Sequence, residues 1–143
     1  MTQSVAEGPS FLRAAFAPEP RTLVDVFRRT VEEWSDEPAL DNGAEVLTYA
    51  EFADAADELA TRLAETGVGR GDRVGVRVRS GTVDLYVAVM GILVAGGSYV
   101  PVDADDPPER ARTVFREADV AAVVGDDLEI TVIEEPLDLE ELM

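Results

Sequence analysis

The sequence predicts an α/β fold: a partial three-layer α/β/α arrangement with a parallel βαβαβ unit, preceded by a helix and a β-hairpin. Three observations predict it. Residues 73–124 read as strand, helix, strand, helix, strand, and such crossovers give a parallel sheet with helices packed on its faces. RVGVRVR at 73–79 sets Val74, Val76 and Val78 against Arg or Gly at period two, the mark of a strand with one buried face. Residues 80–95 are apolar nearly all round, which describes a helix buried on several sides.

The elements follow in order. Residues 1–20 read as a leader that Gly8, Pro9, Pro18 and Pro20 keep from any periodic pattern; the apolar piece at 11–16 is short enough to dock on the domain. Thr22 is a helix N-cap with Asp25 three residues on. Leu23, Val26, Phe27, Thr30, Val31 and Trp34 then recur at helical spacing, and residues 35–38 end the helix. Residues 39–40 and 45–48 are short extended pieces about the turn Asp41-Asn42-Gly43, since Asn-Gly between apolar residues signals a hairpin. Thr48 and Glu51 form a capping box for a helix over 49–66 whose stripe is Tyr49, Phe52, Ala56, Leu59, Ala60 and Leu63, with Gly67 as its stop.

After the strand at 73–79 and the helix at 80–95, Gly96-Gly97 leads to a strand at 98–102. Pro107 and Pro108 suit the first turn of a helix over 108–117, with Asp105 or Asp106 as its cap. Residues 120–124 are a strand, 125–127 a turn and 129–133 another strand. The last ten residues, EEPLDLEELM, read as an acidic solvated tail, or alternatively as an amphipathic partner helix. The domain organisation is thus a leader at 1–20, a body at 21–133 and an acidic tail at 134–143.

Composition narrows the chemistry. With no cysteine and no histidine the chain has no thiolate or imidazole to hold a metal and lacks the commonest general base. All twelve cations are arginine, which excludes lysine Schiff bases and a P-loop lysine. A net charge of -18 argues against nucleic acid and against anionic membranes. The first residues lack a basic start followed by an apolar run, and the apolar run near 85–95 is too short to span a bilayer, so a cytoplasmic location is expected.

Three groups are candidates for a site. Asp103, Asp105, Asp106 and Glu109 follow a strand where open α/β sheets place ligands, and clustered acids can hold Mg²⁺ or act as acid and base. Loop solvation and capping account for them more simply. Arg77 and Arg79 offer an anion site, against which stands ion pairing with the surplus acids. Gly96-Gly97 lies after a helix and before a strand, the reverse of a phosphate cradle, and reads as a tight connection.

Several segments carry a resemblance. Leu47, Thr48, Tyr49 and Glu51, with Phe52 in place of Leu, fit L-T-Y-x-E-L. Gly71, Asp72, Arg73 and Val74 fit G-D-x-V. Leu93, Ala95, Gly96, Tyr99, Val100, Pro101 and Asp103 fit L-K-A-G-x-A-Y-V-P-x-D, with Val94 for Lys and Ser98 for Ala. Pro107, Glu109 and Arg110 begin a further matching helix and strand. In this order, over about residues 22–125, they resemble the N-terminal part of the amino-acid adenylation domains of nonribosomal peptide synthetases. Within that family the stretch 79–111 is most similar to single-module enzymes that make amino-acid homopolymers, such as ε-poly-lysine synthetase.

The resemblance implies the N-terminal subdomain of the adenylate-forming fold. It also implies a two-step ligation in the full-length relative. ATP and a carboxylate form an acyl-adenylate with Mg²⁺, and the acyl group passes to a carrier-protein phosphopantetheine thiol. The family's Ser/Thr/Gly-rich loop, catalytic Glu, ribose-binding Asp and C-terminal lysine have no counterpart here. No catalytic, cofactor-binding or metal residue is therefore carried over, and the 143 residues are expected to be inactive alone. The expected partners are the remainder of the domain and a carrier protein. The alternative is a free-standing noncatalytic module binding a partner through its acidic end.

Overall fold

A computed structural model of the chain describes residues 20–142; the expected leader lies, apart from Pro20, outside them. Helix α1 (Leu23–Trp34) opens on Thr22, whose hydroxyl accepts from Asp25 N while the Asp25 carboxylate accepts from Thr22 N. Strands β1 (Pro38–Asp41) and β2 (Val46–Thr48) form a separate antiparallel hairpin. At its turn the Asn42 carboxamide oxygen accepts from Ala44 N and Glu45 N, and Gly43 takes φ +88°. Helix α2 (Tyr49–Glu65) starts from the Thr48–Glu51 capping box.

The main sheet has four strands in the order β4-β3-β5-β6: β3 (Arg73–Arg77), β4 (Ser98–Pro101), β5 (Ala122–Gly125) and β6 (Ile130–Val132). β3 pairs in parallel with both β4 and β5, in register Val76 with Pro101 and Val76 with Val124. The βαβαβ unit is thus as expected, but β6 runs antiparallel to β5, so the sheet is mixed. A bend of three residues, Asp126–Leu128, is too short for a crossover, and only an antiparallel return fits so brief a connection.

Helix α3 (Val83–Val94) links β3 to β4, and α4 (Pro108–Ala118) links β4 back across β3 to β5. The two connections travel in opposite directions along the sheet, which puts their helices on opposite faces. On one face Val74, Val76, Val78, Ala122 and Val124 pack with Leu59, Leu63, Ala88 and Ile92. On the other, Val102, Ala111, Phe115, Val120 and Val123 form a second cluster. Phe27 and Phe52 stand edge to face, centroids 5.0 Å apart, and join α1 to α2 with Ala53 and Val87.

Several expectations need correction. The acidic end is not a solvated tail: α5 (Pro136–Leu142) forms there, and Leu139 is 2% exposed in the cluster around Phe115. Arg112 and Arg116 on α4 both pair with Glu140, at 3.3 and 2.8 Å, so the acidic helix meets the cations of its neighbour. Asp138 accepts from Glu134 N and Glu135 N and caps its start. Neither Asp105 nor Asp106 caps α4; Pro107 is the N-cap, with no side-chain cap bond. A proline there fixes φ without a donor, so capping is left to the loop geometry. On α1, Leu23, Val26 and Trp34 point outward, because only Phe27 and Val31 reach the next helix. Helix α3 is less enclosed than its composition suggests, with Tyr86 56% exposed.

Candidate functional site

Open α/β sheets bind ligands outside the carboxyl ends of their parallel strands, where connections diverge to opposite faces. Here that place is the end of β3 and β5. A cavity of about 300 Å³ lies there, lined by Arg77, Gly125, Asp126, Asp127, Glu129 and Thr131 among others. A second, of about 200 Å³, is bounded by Val78, Arg79, Thr82, Asp84, Asp126 and Asp127. Asp126 and Asp127 border both.

Arg77 ends β3 and reaches sideways under the 103–106 loop. Its Nη2 donates to Asp106 O at 2.8 Å and to Ala104 O at 3.4 Å, and its Nε is buried without a partner. It forms no ion pair among the described residues, contrary to expectation; backbone carbonyls take the place of the acids. Arg79 does behave as expected, pairing with Asp126 at 3.8 Å, while its backbone N–H donates to Asp126 Oδ1 at 3.0 Å.

The four acids serve the loop and the start of α4. Asp103 Oδ1 accepts from Asp105 N at 2.9 Å, an Asx turn. Asp106 pairs with Arg110 at 3.0 Å. Glu109 lies exposed in the first turn of α4, where negative charge is favourable. Among the described residues no group of three or more His, Cys, Asp or Glu is placed to hold a metal ion.

Gly96-Gly97 is the tight connection anticipated. Gly96 has φ +90°, and a Cβ on Gly97 would stand 3.0 Å from Asp72 O. Gly71 N donates to Gly96 O, and Ser98 N to Asp72 O. The pair seats the end of α3 against the turn before β3, at the amino ends of β3 and β4 and away from the carboxyl ends where ligands bind.

What the sequence did not reveal is the meeting of Asp84 with Asp126 and Asp127 beyond β3 and β5. Burial, then the charges of Asp127 and Asp126, raise the Asp84 carboxyl above its ordinary value. Asp127 and Leu128 both take φ +58°, and Arg62 Nη2 donates to Leu128 O at 2.9 Å, holding that backbone in place. Asp-Asp after Gly125 reads as an ordinary turn; nothing in the sequence places Asp84, forty-two positions earlier, beside it.

A nucleotide triphosphate and its Mg²⁺ do not fit this crevice. Arg77 Nη2 is committed to the Asp106 and Ala104 carbonyls, the remaining lining is rich in carboxylates, and a polyanion there would meet repulsion. No step of phosphate chemistry can be assigned to these residues.

Comparison with known proteins identifies the family. The sequence profile of the family described as AMP-binding enzyme matches residues 27–142. Syringomycin synthase SyrB1 of Pseudomonas syringae pv. syringae is 35% identical over 117 residues, covering 80% of this chain and 19% of that protein. The AMPPNP-bound form of the nonribosomal peptide synthetase FmoA3 superposes with a TM-score of 0.72 at 34% identity, over 78% of this chain and 12% of that one. The N-terminal subdomain of Klebsiella oxytoca NpsA superposes with a TM-score of 0.71 at 23% identity, over 82% and 30%, a likeness of fold. The chain therefore spans about a fifth or less of the curated relative and of the synthetase structure it matches at over 30% identity. No helix among the described residues is long and apolar enough to cross a membrane. The fold, the motif order and the family match converge: this chain belongs to the AMP-binding enzyme family, as the N-terminal part of a nonribosomal-peptide-synthetase adenylation domain.

Proposed function

We propose that these 143 residues are scaffold, supplying part of the N-terminal subdomain while the nucleotide is handled elsewhere in the enzyme. The whole adenylation domain would use ATP and Mg²⁺ to convert an amino acid to its aminoacyl-adenylate. It would then pass the acyl group to a carrier-protein phosphopantetheine thiol, in the cytoplasm. The observation that carries this reading is the family match over residues 27–142, on a chain whose strand ends are lined by carboxylates. Transition-state charge in phosphoryl-group chemistry is stabilised by cations and backbone donors. Arg77, which lines that crevice, is turned to the 103–106 loop instead. Its work is to hold that loop against the sheet.

The exposed apolar surface supports the same reading. Tyr99 on edge strand β4, Val132 on edge strand β6 and Tyr86 on α3 are each more than a third exposed, the condition of a sheet that further structure would cover. Binding a partner through the acidic end is the weaker reading, because α5 spends Leu139 on its own domain.

Pyrophosphate exchange tests the proposal. With ATP, Mg²⁺ and a panel of amino acids the chain is expected to exchange no label above background. Amino-acid-dependent exchange would overturn it.

A further inference from the structure

Asn42 is the one asparagine of the chain, and it stands before Gly43 in the turn of the β1–β2 hairpin. Residues 41–46 are exposed, so water reaches the turn. The Asn42 carboxamide is held at both ends. Its Oδ1 accepts from Ala44 N at 3.0 Å and from Glu45 N at 2.7 Å, and its Nδ2 donates to Gly81 O at 3.3 Å. The next amide is engaged too: Gly43 N donates to Asp41 Oδ1 at 2.9 Å. A Cβ built on Gly43 would meet nothing within 4 Å, so no neighbour crowds that residue.

These contacts have the arrangement of a small acyl-transfer site. Gly43 N and Asn42 Cγ are near neighbours along the covalent chain, and a bond between them closes a five-membered ring, so proximity is built in. The Gly43 proton points along its hydrogen bond to Asp41, in the plane of the amide, which leaves the face of that amide for attack on Cγ. The Asp41 carboxylate is placed to take the proton. Two backbone N–H groups already converge on Asn42 Oδ1, where negative charge develops as Cγ becomes tetrahedral.

The geometry points to Asn42-Gly43 as a self-modifying site, at which the folded turn promotes loss of ammonia from its own asparagine. Gly43 N bonds to Asn42 Cγ and gives its proton to Asp41. The Cγ–Nδ2 bond then breaks, and that proton leaves with Nδ2 as ammonia. Water opens the resulting cyclic imide. Opening at Cγ leaves an aspartyl residue at position 42; opening at the Asn42 backbone carbonyl leaves an isoaspartyl residue, whose backbone is longer by a methylene. The net change is amide and water to carboxyl and ammonia, with nothing oxidised or reduced. Either product loses the donor to Gly81 O and sets a new carboxylate beside Asp41, so the turn is released from the segment before α3. The cavity of about 220 Å³ that Asp41 and Asn42 share with Gly81, Thr82 and Tyr86 opens with it.

Mass spectrometry of the full chain, incubated at neutral pH, provides the test. Cleavage at arginine isolates residues 30–62, in which Asn42 is the one side-chain amide. The reference is the same chain unfolded in guanidinium chloride. The folded chain is expected to convert several-fold faster than the unfolded one, with isoaspartate at position 42. Asp41→Ala is expected to slow the folded chain several-fold while the amide signals of Val46 and Thr48 keep their places. In the converted product the amide signals of Gly81 and Thr82 are expected to shift while those of Val74 and Phe115 stay. Conversion no faster in the folded chain than in the unfolded one would overturn the proposal. So would an Asp41→Ala chain with an intact hairpin and an undiminished rate, or a product whose Gly81 signal has not moved. The comparison of folded with unfolded chain decides the matter even where Asp41→Ala disturbs the hairpin. None of these outcomes bears on the family assignment, which rests on the match over residues 27–142.

Discussion

Gly75→Ala is the sharpest probe of how the sheet accepts α4. Gly75 lies mid-way along β3, with its missing side chain facing the second cluster. A Cβ built there stands 2.6 Å from Phe115 Cε1 and 2.9 Å from Cδ1. Phe115 is fully buried, so its ring has nowhere to retreat. Overpacking of this kind costs about 1–3 kcal/mol. Removing a glycine from a strand interior returns roughly 0.5–1 kcal/mol. The balance is a loss of at most about 2.5 kcal/mol and centrally about 1 kcal/mol, which for a chain of this size lowers Tm by roughly 3–5 °C. Urea unfolding should show a lower midpoint at unchanged slope. Phe115→Leu alone should also destabilise, by about 1 kcal/mol. The double variant should be less destabilised than the sum of the two, because the shorter side chain yields room to the new methyl. A Gly75→Ala protein as stable as the parent, or strict additivity with Phe115→Leu, would refute the close-packing argument.

Leu139→Ala should cost about 2 kcal/mol and release amide protection in the part of α5 after Pro136, read by hydrogen exchange; unchanged protection would mean that Leu139 does not anchor α5. Asp84→Asn should raise stability near neutrality and leave it unchanged in strong acid. The Asp84 carboxyl is raised in the folded chain, so the folded state binds its proton more tightly than the unfolded state. Its contribution is therefore lost as pH climbs from the ordinary carboxylate value through the raised one. A urea midpoint series from pH 3 to 7 reads this, and a variant that is less stable at pH 7 would contradict it.

Much of the fold was legible because local signals agreed with tertiary demands. The Thr48–Glu51 box and the stripe from Phe52 to Leu63 each specify the same helix, and the structure buries that stripe. Val74, Val76 and Val78 alternate in the sequence and share one face in space. Arg77 was less legible. Polar-face arginines pair with acids by default, and only the return of the 103–106 loop beneath β3 brings carbonyls within reach first. Helix α5 was misread for a similar reason. EEPLDLEELM has too few apolar residues to specify a buried helix by period, and its stability comes from Arg112, Arg116 and the Phe115 cluster, all distant in sequence. The antiparallel β6 was also hidden, because a run of strand-like residues carries no direction until its connection is known to be short. The crevice acids escaped notice because Asp84 and Asp126–Asp127 meet only through the packing of α3 on the bend after β5.

Calorimetric titration of the full chain with MgATP tests the central claim most directly, since it measures the nucleotide site itself and needs no turnover. Heats that match the dilution blank are predicted throughout the titration. A saturable isotherm of unit stoichiometry, weakened by Arg77→Ala, would contradict the account.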